Sequence, residues 1–340
     1  MRRDRFVLVA TVVVAAACQP PLTQSWQVTE FRVLGIEPAA DRDPTVAEPS
    51  RGEGFTLTIA TADPHSRAVQ VVWFVTPFAI SPSTLFPTSG ADGGSSSSSQ
   101  LGLILPLCLA NTPLPIPASR LQCGGGPTAH FTVPETGGGP DTTGHESLTV
   151  IGYACAGGTI AAASPGSATA FECRGTEARG WEFTRTISVN NGSDAVPNHN
   201  PVITDVSFGP EGSLVPIHDT PPMVARCTDQ PVTTQARGTV TSCPRYHIRV
   251  AYTDASREMY PLTDPVTNMV SMASERLQTR YGIDHGTLSN SSISDTDSDP
   301  MANMDVSFIA PAEAGTVTLY VYSFDGRGGF DTTTRTITVQ

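Results

Sequence analysis

Residues 316–339 read TVTLYVYSFDGRGGFDTTTRTITV. In the first half Val317, Leu319 and Val321 fall at every second position, and in the second half Arg335, Ile337 and Val339 alternate with Thr334, Thr336 and Thr338. Successive side chains of a strand point to opposite faces, so this period of two marks two half-buried strands. Asp325-Gly326-Arg327-Gly328-Gly329 between them has turn chemistry, which makes the stretch a β-hairpin. Working outward, Tyr246–Thr253 alternates in Ile248, Val250 and Tyr252, Arg280–Leu288 reads as a strand and turn, and Met304–Ile309 and Pro201–Phe208 read as further strands. The N-terminal half carries the same signal in Val28–Ile36, Phe55–Ala62, Val69–Val75, His130–Val133, Ser147–Cys155 and Trp181–Val189. Turn clusters such as Asp41–Pro44, Gly52–Gly54 and Asp63-Pro64 separate them, and 30 glycines and 29 prolines punctuate a chain poor in helix formers. The fold class expected is therefore all-β. One helical turn is expected between Ser256 and Leu277, where Met269, Met272, Ala273 and Arg276 have helical spacing.

The two halves echo one another. Phe131-Thr132-Val133-Pro134 precedes Leu148–Tyr153 much as Phe308-Ile309-Ala310-Pro311 precedes Thr316–Tyr322. Duplication of one module predicts two antiparallel β-sandwich domains in tandem, at 28–190 and 201–340, joined by a polar linker at 191–200 that contains Pro197. An insertion at about 76–126 interrupts the first module. It holds the run Ser95–Ser99 and the proline-rich Leu105–Pro117, and is expected to be irregular and mobile.

Residues 246–340 carry Val250-Ala251-Tyr252-Thr253-Asp254, Tyr281-Gly282-Ile283, Gly286-Thr287-Leu288-Ser289, Ala314-Gly315-Thr316 and the Asp325–Gly329 turn. In this order they resemble bacterial Ig-like, PKD-like or cadherin-like repeats, with Tyr281 where many relatives have tryptophan. Residues 28–190 resemble the same repeats more loosely, with Trp73 at the third-strand position. The resemblance implies Ig-like sandwiches, and a fold of this kind does not by itself fix a function.

The chain opens with Arg2, Arg3 and Arg5, an uncharged run Phe6–Val14, and Ala15-Ala16-Ala17-Cys18. A charged start, a short apolar helix and small residues before a break describe an export signal at 1–17. The run is too short to cross a bilayer, which takes about 20 residues. Small residues followed by cysteine resemble the lipobox of bacterial lipoproteins. The resemblance implies acylation of Cys18, a tether at 18–27, and, from Gln19 in the sorting position, an outer-membrane destination.

With 20 basic and 32 acidic residues the formal charge is −12. Loss of the signal, with three arginines and Asp4, takes it to about −14, which disfavours nucleic acid and anionic lipid headgroups as partners. All 20 basic residues are arginine. The absence of lysine excludes P-loop phosphate binding, Ser-Lys hydrolysis and Schiff-base chemistry. Besides Cys18 there are six cysteines, spaced as close pairs: Cys108 with Cys123, Cys155 with Cys173, Cys227 with Cys243. Three local disulfides are expected, each closing a loop of roughly 15 residues and worth about 3 kcal/mol in the chain-entropy account. Zinc is the rival, but no C-x2-C spacing occurs.

Asp295, Asp297 and Asp299 form a D-x-D-x-D run of the kind that opens a calcium loop. Pro300 stands where an EF-hand needs glycine and Val306 where it needs glutamate, so a solvated acidic loop is the plainer reading and bound calcium the alternative. The cadherin-like resemblance adds Asp194, Asp205 and Asp254 as carboxylates near a module junction. None of the seven histidines lies in H-E-x-x-H, and no G-x-S-x-G elbow occurs. Trp26, Trp73 and Trp181 are the candidates for an aromatic carbohydrate platform, with Trp73 expected in the core.

These readings point to a non-enzymatic, lipid-anchored cell-envelope protein that displays Ig-like domains for adhesion or protein contact, with envelope proteins, matrix or glycans as partners. A carbohydrate-binding module is the alternative, and an envelope hydrolase with a dispersed site stands behind it.

Overall fold

The computed structural model describes residues 25–77, 97–135, 139–140, 146–164, 167, 169–190, 196–229, 232–234, 238–240, 242–263, 267, 269–294 and 305–340. The protein is all-β, built as two antiparallel sandwiches in tandem with a single α-helix among the described residues. That helix is not long and apolar enough to cross a membrane.

The first sandwich faces a sheet of β1 (Arg32–Ala40), β2 (Gly54–Ala62) and β5 (Thr128–Thr132) against a second sheet. The second sheet runs β10 (Arg179–Val189), β7 (Glu146–Ala156), β3 (Val69–Thr76) and β4 (Gln122–Gly125), with the short β6 (Gly139–Pro140) beside β7. Phe55, Leu57 and Ile59 alternate inward from β2 to meet Val71, Trp73 and Val75 of β3. Trp73 is fully buried, packs edge-on against Phe183 at 5.1 Å and donates its indole N–H to Gly126 O at 2.7 Å.

Of the insertion expected at 76–126 to be irregular, residues 78–96 lie outside the described residues, and 97–125 include α1 (Ser97–Leu109) and strand β4. Leu101, Leu105 and Cys108, one helical stripe, cover Val72 and Phe74 on the outer face of β3, beside Tyr153 and Phe171. Strand β3 is thus buried on both faces, which explains its unbroken apolar run. The hairpin β8 (Thr159–Ala162) and β9 (Phe171–Arg174) completes this third layer. Disulfides staple the layer to the sheet: Cys108–Cys123 joins α1 to β4, and Cys155–Cys173 joins β7 to β9, with Cα separations of 5.1 and 5.3 Å.

The second sandwich faces two five-stranded sheets. One runs β12 (Val215–Pro216), β11 (Ile203–Gly209), β16 (Tyr246–Tyr252), β22 (Val306–Ile309), β20 (Thr287–Leu288). The other runs β13 (Met223–Val224), β24 (Phe330–Val339), β23 (Gly315–Phe324), β19 (Gln278–Ile283), β21 (Ser292–Ser294). The orders β11-β16-β22-β20 and β24-β23-β19 are the A-B-E-D and G-F-C orders of immunoglobulin sandwiches. Tyr281 is buried in the core with Ile248, Leu319, Val321 and Ile337. A peripheral hairpin, β14 (Val232–Thr234) with β15 (Gly238–Val240), lies between the third cysteine pair, Cys227–Cys243, whose Cα atoms are 5.5 Å apart.

The helical turn expected between Ser256 and Leu277 is replaced by a hairpin, β17 (Met259–Thr263) with β18 (Val270–Ser274). Val270-Ser271-Met272-Ala273-Ser274 alternates as a strand, and Pro261 on the partner leg has no N–H for a helix interior.

The sandwiches are not beads on a string. Tyr320, Tyr322 and Phe324, on the face of β23 turned away from its own core, pack with Phe330 against Val28, Leu34, Ala60 and Ala62 of the first sandwich. Ser25–Gln27, read as the end of a tether, instead docks on the second sandwich. Val28 N donates to Ile283 O at 2.7 Å, Ile283 N donates to Trp26 O at 2.9 Å, and Trp26 packs on that core. The described part of the linker, residues 196–200, is seated too, with Asn198 and Asn200 buried. A Cβ on Gly35 would lie 2.2 Å from the buried Phe330 ring, so only glycine lets β1 approach β24 here. Gly35→Ala should cost about 1–3 kcal/mol in urea unfolding. Gly326→Ala, which meets nothing within 4 Å, should stay within about 0.5 kcal/mol of the parent.

Candidate functional site

The turn between β23 and β24 is organised by one carboxylate. Asp325 Oδ1 accepts hydrogen bonds from the backbone N–H groups of Arg327, Gly328 and Gly329 at 2.8, 2.6 and 2.7 Å. Two of the glycines are required: Gly328 has φ +109°, and a Cβ on Gly329 would lie 2.0 Å from Asp325 Oδ2. This knuckle carries Arg327 into the seam between the sandwiches. Its Nη1 reaches Glu258 Oε2 at 3.2 Å and Glu275 Oε1 at 3.4 Å, and its Nη2 reaches Glu48 Oε2 at 3.3 Å and donates to Val196 O at 2.9 Å. The guanidinium carbon lies 4.9 Å from the centre of the Tyr260 ring. Arg327 therefore gathers the first sandwich, the linker and both legs of the β17–β18 hairpin, using the planar fork of donors that lysine lacks. His199 Nδ1 meets Glu258 Oε1, and Asn198 N donates to Glu48 Oε2 at 3.1 Å.

A second arginine lies deeper. Arg185 of β10 donates to Ile36 O at 2.6 Å and to Gly328 O, tying the first sandwich to the turn. Burial pulls its guanidinium down to about 10, with the Asp325 charge opposing the shift. Asp325 Oδ2 is buried without a hydrogen-bond partner, and Arg185 is its nearby countercharge. The Glu275 carboxyl is pushed up to about 8, first by burial and then by Asp325 and Glu258, against the pull of Arg327 and the Glu258 N–H. Glu37 on β1 is raised by burial and by Asp331 on β24, whose own carboxyl is raised by burial.

The hairpin held by this seam turns one face outward. The register pairs Met259 with Ser274, Pro261 with Met272 and Thr263 with Val270 on one face, and Tyr260 with Ala273 on the other, under Arg327. Met259, Leu262, Met269, Val270 and Met272 are 50 to 70 % exposed. No charged residue occurs in Met259–Thr263 or Met269–Ser274. By the same register Leu262 lies on the Tyr260 face, so the outward face groups Met259, Pro261, Val270 and Met272. Exposed apolar side chains grouped in this way mark contact sites, and methionine adapts to varied partners.

The residues singled out from sequence are dispersed. Cys18, the signal, Asp194 and the triplet Asp295, Asp297 and Asp299 lie outside the described residues. Asp205 accepts from the Ser207 hydroxyl at 3.3 Å, and Asp254 opens a short 3-10 turn. Among the described residues no group of three His, Cys, Asp or Glu side chains is placed to hold a metal ion. The six cysteines form the three expected pairs. The tryptophans share no platform: Trp73 is in the first core, Trp26 packs on the second, and Trp181, 42 % exposed, lines a groove of about 550 Å³ with Ile36, Phe183 and Phe324. Sequence reasoning took Asp325–Gly329 for a plain turn and missed Arg327. The available signal was Tyr320, Tyr322 and Phe324, aromatics on what a lone sandwich would turn to water. Comparison with known proteins found no family model that matches this chain and no curated protein similar to it.

The raised carboxyl of Glu275 has a defined consequence for stability. The unfolded chain releases this proton near pH 4.5, whereas the folded chain keeps it to about pH 8. Stability from this group is therefore full below pH 4.5, falls between pH 4.5 and about 8, and is level above that. Glu275→Gln, which carries no such proton, should raise the melting temperature by about 2–5 °C at pH 8.5 and close on the parent toward pH 5. Parallel melting profiles for parent and variant would show that Glu275 does not titrate in the seam.

Proposed function

We propose that this chain is a non-enzymatic, lipid-anchored cell-envelope protein whose coupled sandwiches present the β17–β18 hairpin for contact with another protein. The observation that carries the reading is the outward face of Met259, Pro261, Val270 and Met272, uncharged on a strongly acidic chain and mounted on a seam buried from both sides. An interaction surface works best when its support does not have to be ordered on binding, and the Arg327 cluster supplies that order beforehand. The three disulfides belong to a chain that matures in an oxidising compartment. Anchoring through Cys18 and an outer-membrane destination rest on the resemblance of Ala15–Cys18 to a lipobox and on Gln19. Several acyl chains hold a protein firmly to a bilayer, where one holds it only marginally. The carbohydrate-binding alternative has Trp181 chiefly in its favour, because Trp73 is inside the first core and Trp26 is partly buried against the second.

Two measurements test this. Metabolic labelling with a fatty-acid analogue should mark the parent and leave Cys18→Ala unlabelled and soluble; equal labelling of both would end the lipoprotein reading. A photo-crosslinking residue at position 272, in intact envelopes, should give a discrete protein adduct that position 174 on the exposed β8–β9 hairpin does not give. Identical adducts at both positions, or none at 272, would contradict the contact surface.

A further inference from the structure

The β17–β18 hairpin springs from the second sandwich through two legs, and each leg carries a glutamate at its base. Glu258 immediately precedes β17 and Glu275 immediately follows β18. The bases are laced together, with Glu275 N donating to Glu258 O at 2.8 Å. Both carboxylates then meet the same guanidinium, Arg327, which stacks on Tyr260 of the hairpin and holds Glu48 of the first sandwich. One cation thus sets both the hairpin's attitude and part of the contact between sandwiches.

The charges around this point come from every element packed there. The turn contributes Arg327 and Asp325, the first sandwich Glu48 and, from β10, Arg185, the linker His199, and the hairpin legs Glu258 and Glu275. Arg257 next to Glu258 lies over the Tyr252 ring at 5.8 Å, and Arg276 next to Glu275 is exposed. Leaving His199 aside, the four carboxyl groups of Glu48, Glu258, Glu275 and Asp325 stand against two arginines. A proton on one carboxyl halves that imbalance, and Glu275, with a side chain 1 % exposed, is the carboxyl least able to find water. An ionised Glu275 adds like charge beside Glu258 and Asp325 where nothing solvates it. The movable element is the leg it sits on, because a two-stranded hairpin is only marginally stable by itself.

We infer that the Arg327 cluster is a proton-operated latch: a proton on Glu275 holds the β17–β18 hairpin against the seam, and loss of that proton releases it. The latch rests on the reading of this hairpin as the contact surface, since its use is to change how Met259, Val270 and Met272 are presented.

The test is an NMR titration of the full chain carrying methyl-13C methionine, from pH 6 to pH 9.5, with resonances assigned by single Met→Leu changes. The signals of Met259, Met269 and Met272 should shift and narrow together with one midpoint near pH 8, while Met223 on β13 stays fixed. In Glu275→Gln the three signals should hold their low-pH positions throughout. Movement of Met259 alone is local titration and overturns the latch, as do three unmoved signals or an unchanged transition in Glu275→Gln. Crosslinking from position 272 at pH 6.5 separates the two ideas. An adduct without a titration removes the latch and leaves the contact surface, whereas the titration without an adduct supports the latch and removes the contact surface.

Discussion

A single guanidinium, that of Arg327, closes a seam between segments as far apart as 279 residues. It meets Glu48 from the first sandwich, Val196 from the linker, and Glu258 and Glu275 from the hairpin. Its value is not that of three salt bridges added together, since buried pairs lose in desolvation much of what they gain in attraction. What it enforces is uniqueness. Without the cation, Glu48, Glu258 and Glu275, with side chains 7, 13 and 1 % exposed, would lose their shared countercharge. The seam therefore specifies one arrangement more than it deepens the folding minimum.

Apolar packing supplies the complementary constraint. Tyr320, Tyr322 and Phe324 leave their own sandwich by the outer face of β23, and with Phe330 they meet Leu34 and Ala62 of the first. Gly35 permits the approach, and Arg185 threads from β10 to the backbone of the turn. The chain even begins its described course on the wrong sandwich, with Trp26 and Gln27 against β19 before β1 starts. Among the described residues, a stripe of aromatics on one domain and a glycine-relieved strand on the other are each other's partners.

The strands were legible because a half-buried strand must alternate, and Phe55-Leu57-Ile59, Ile248-Val250-Tyr252 and Val317-Leu319-Val321 all do. The disulfides were legible because short loops between cysteines pair cheaply. Helix α1 was hidden by its opening serines and Pro106, although Leu101, Leu105 and Cys108 already formed its stripe. The 259–274 hairpin was obscured because Met269, Met272, Ala273 and Arg276 fit a helix while Val270, Met272 and Ser274 fit a strand, and a segment this short satisfies both periods. The seam was the least legible. Glu48, Glu258, Glu275 and Arg327 are ordinary charged residues in a sequence, and only the fold makes neighbours of them.

The consequence is a methionine-rich hairpin with uncharged strands, exposed on an acidic chain and with a titratable group at its root. The central claim beneath all of this is that the seam makes two sandwiches one cooperative unit. Scanning calorimetry of the chain without residues 1–17 at pH 6.5 tests it most directly. The account predicts a single transition whose calorimetric and van't Hoff enthalpies agree. Two separate transitions, each with the enthalpy of one sandwich, would contradict it.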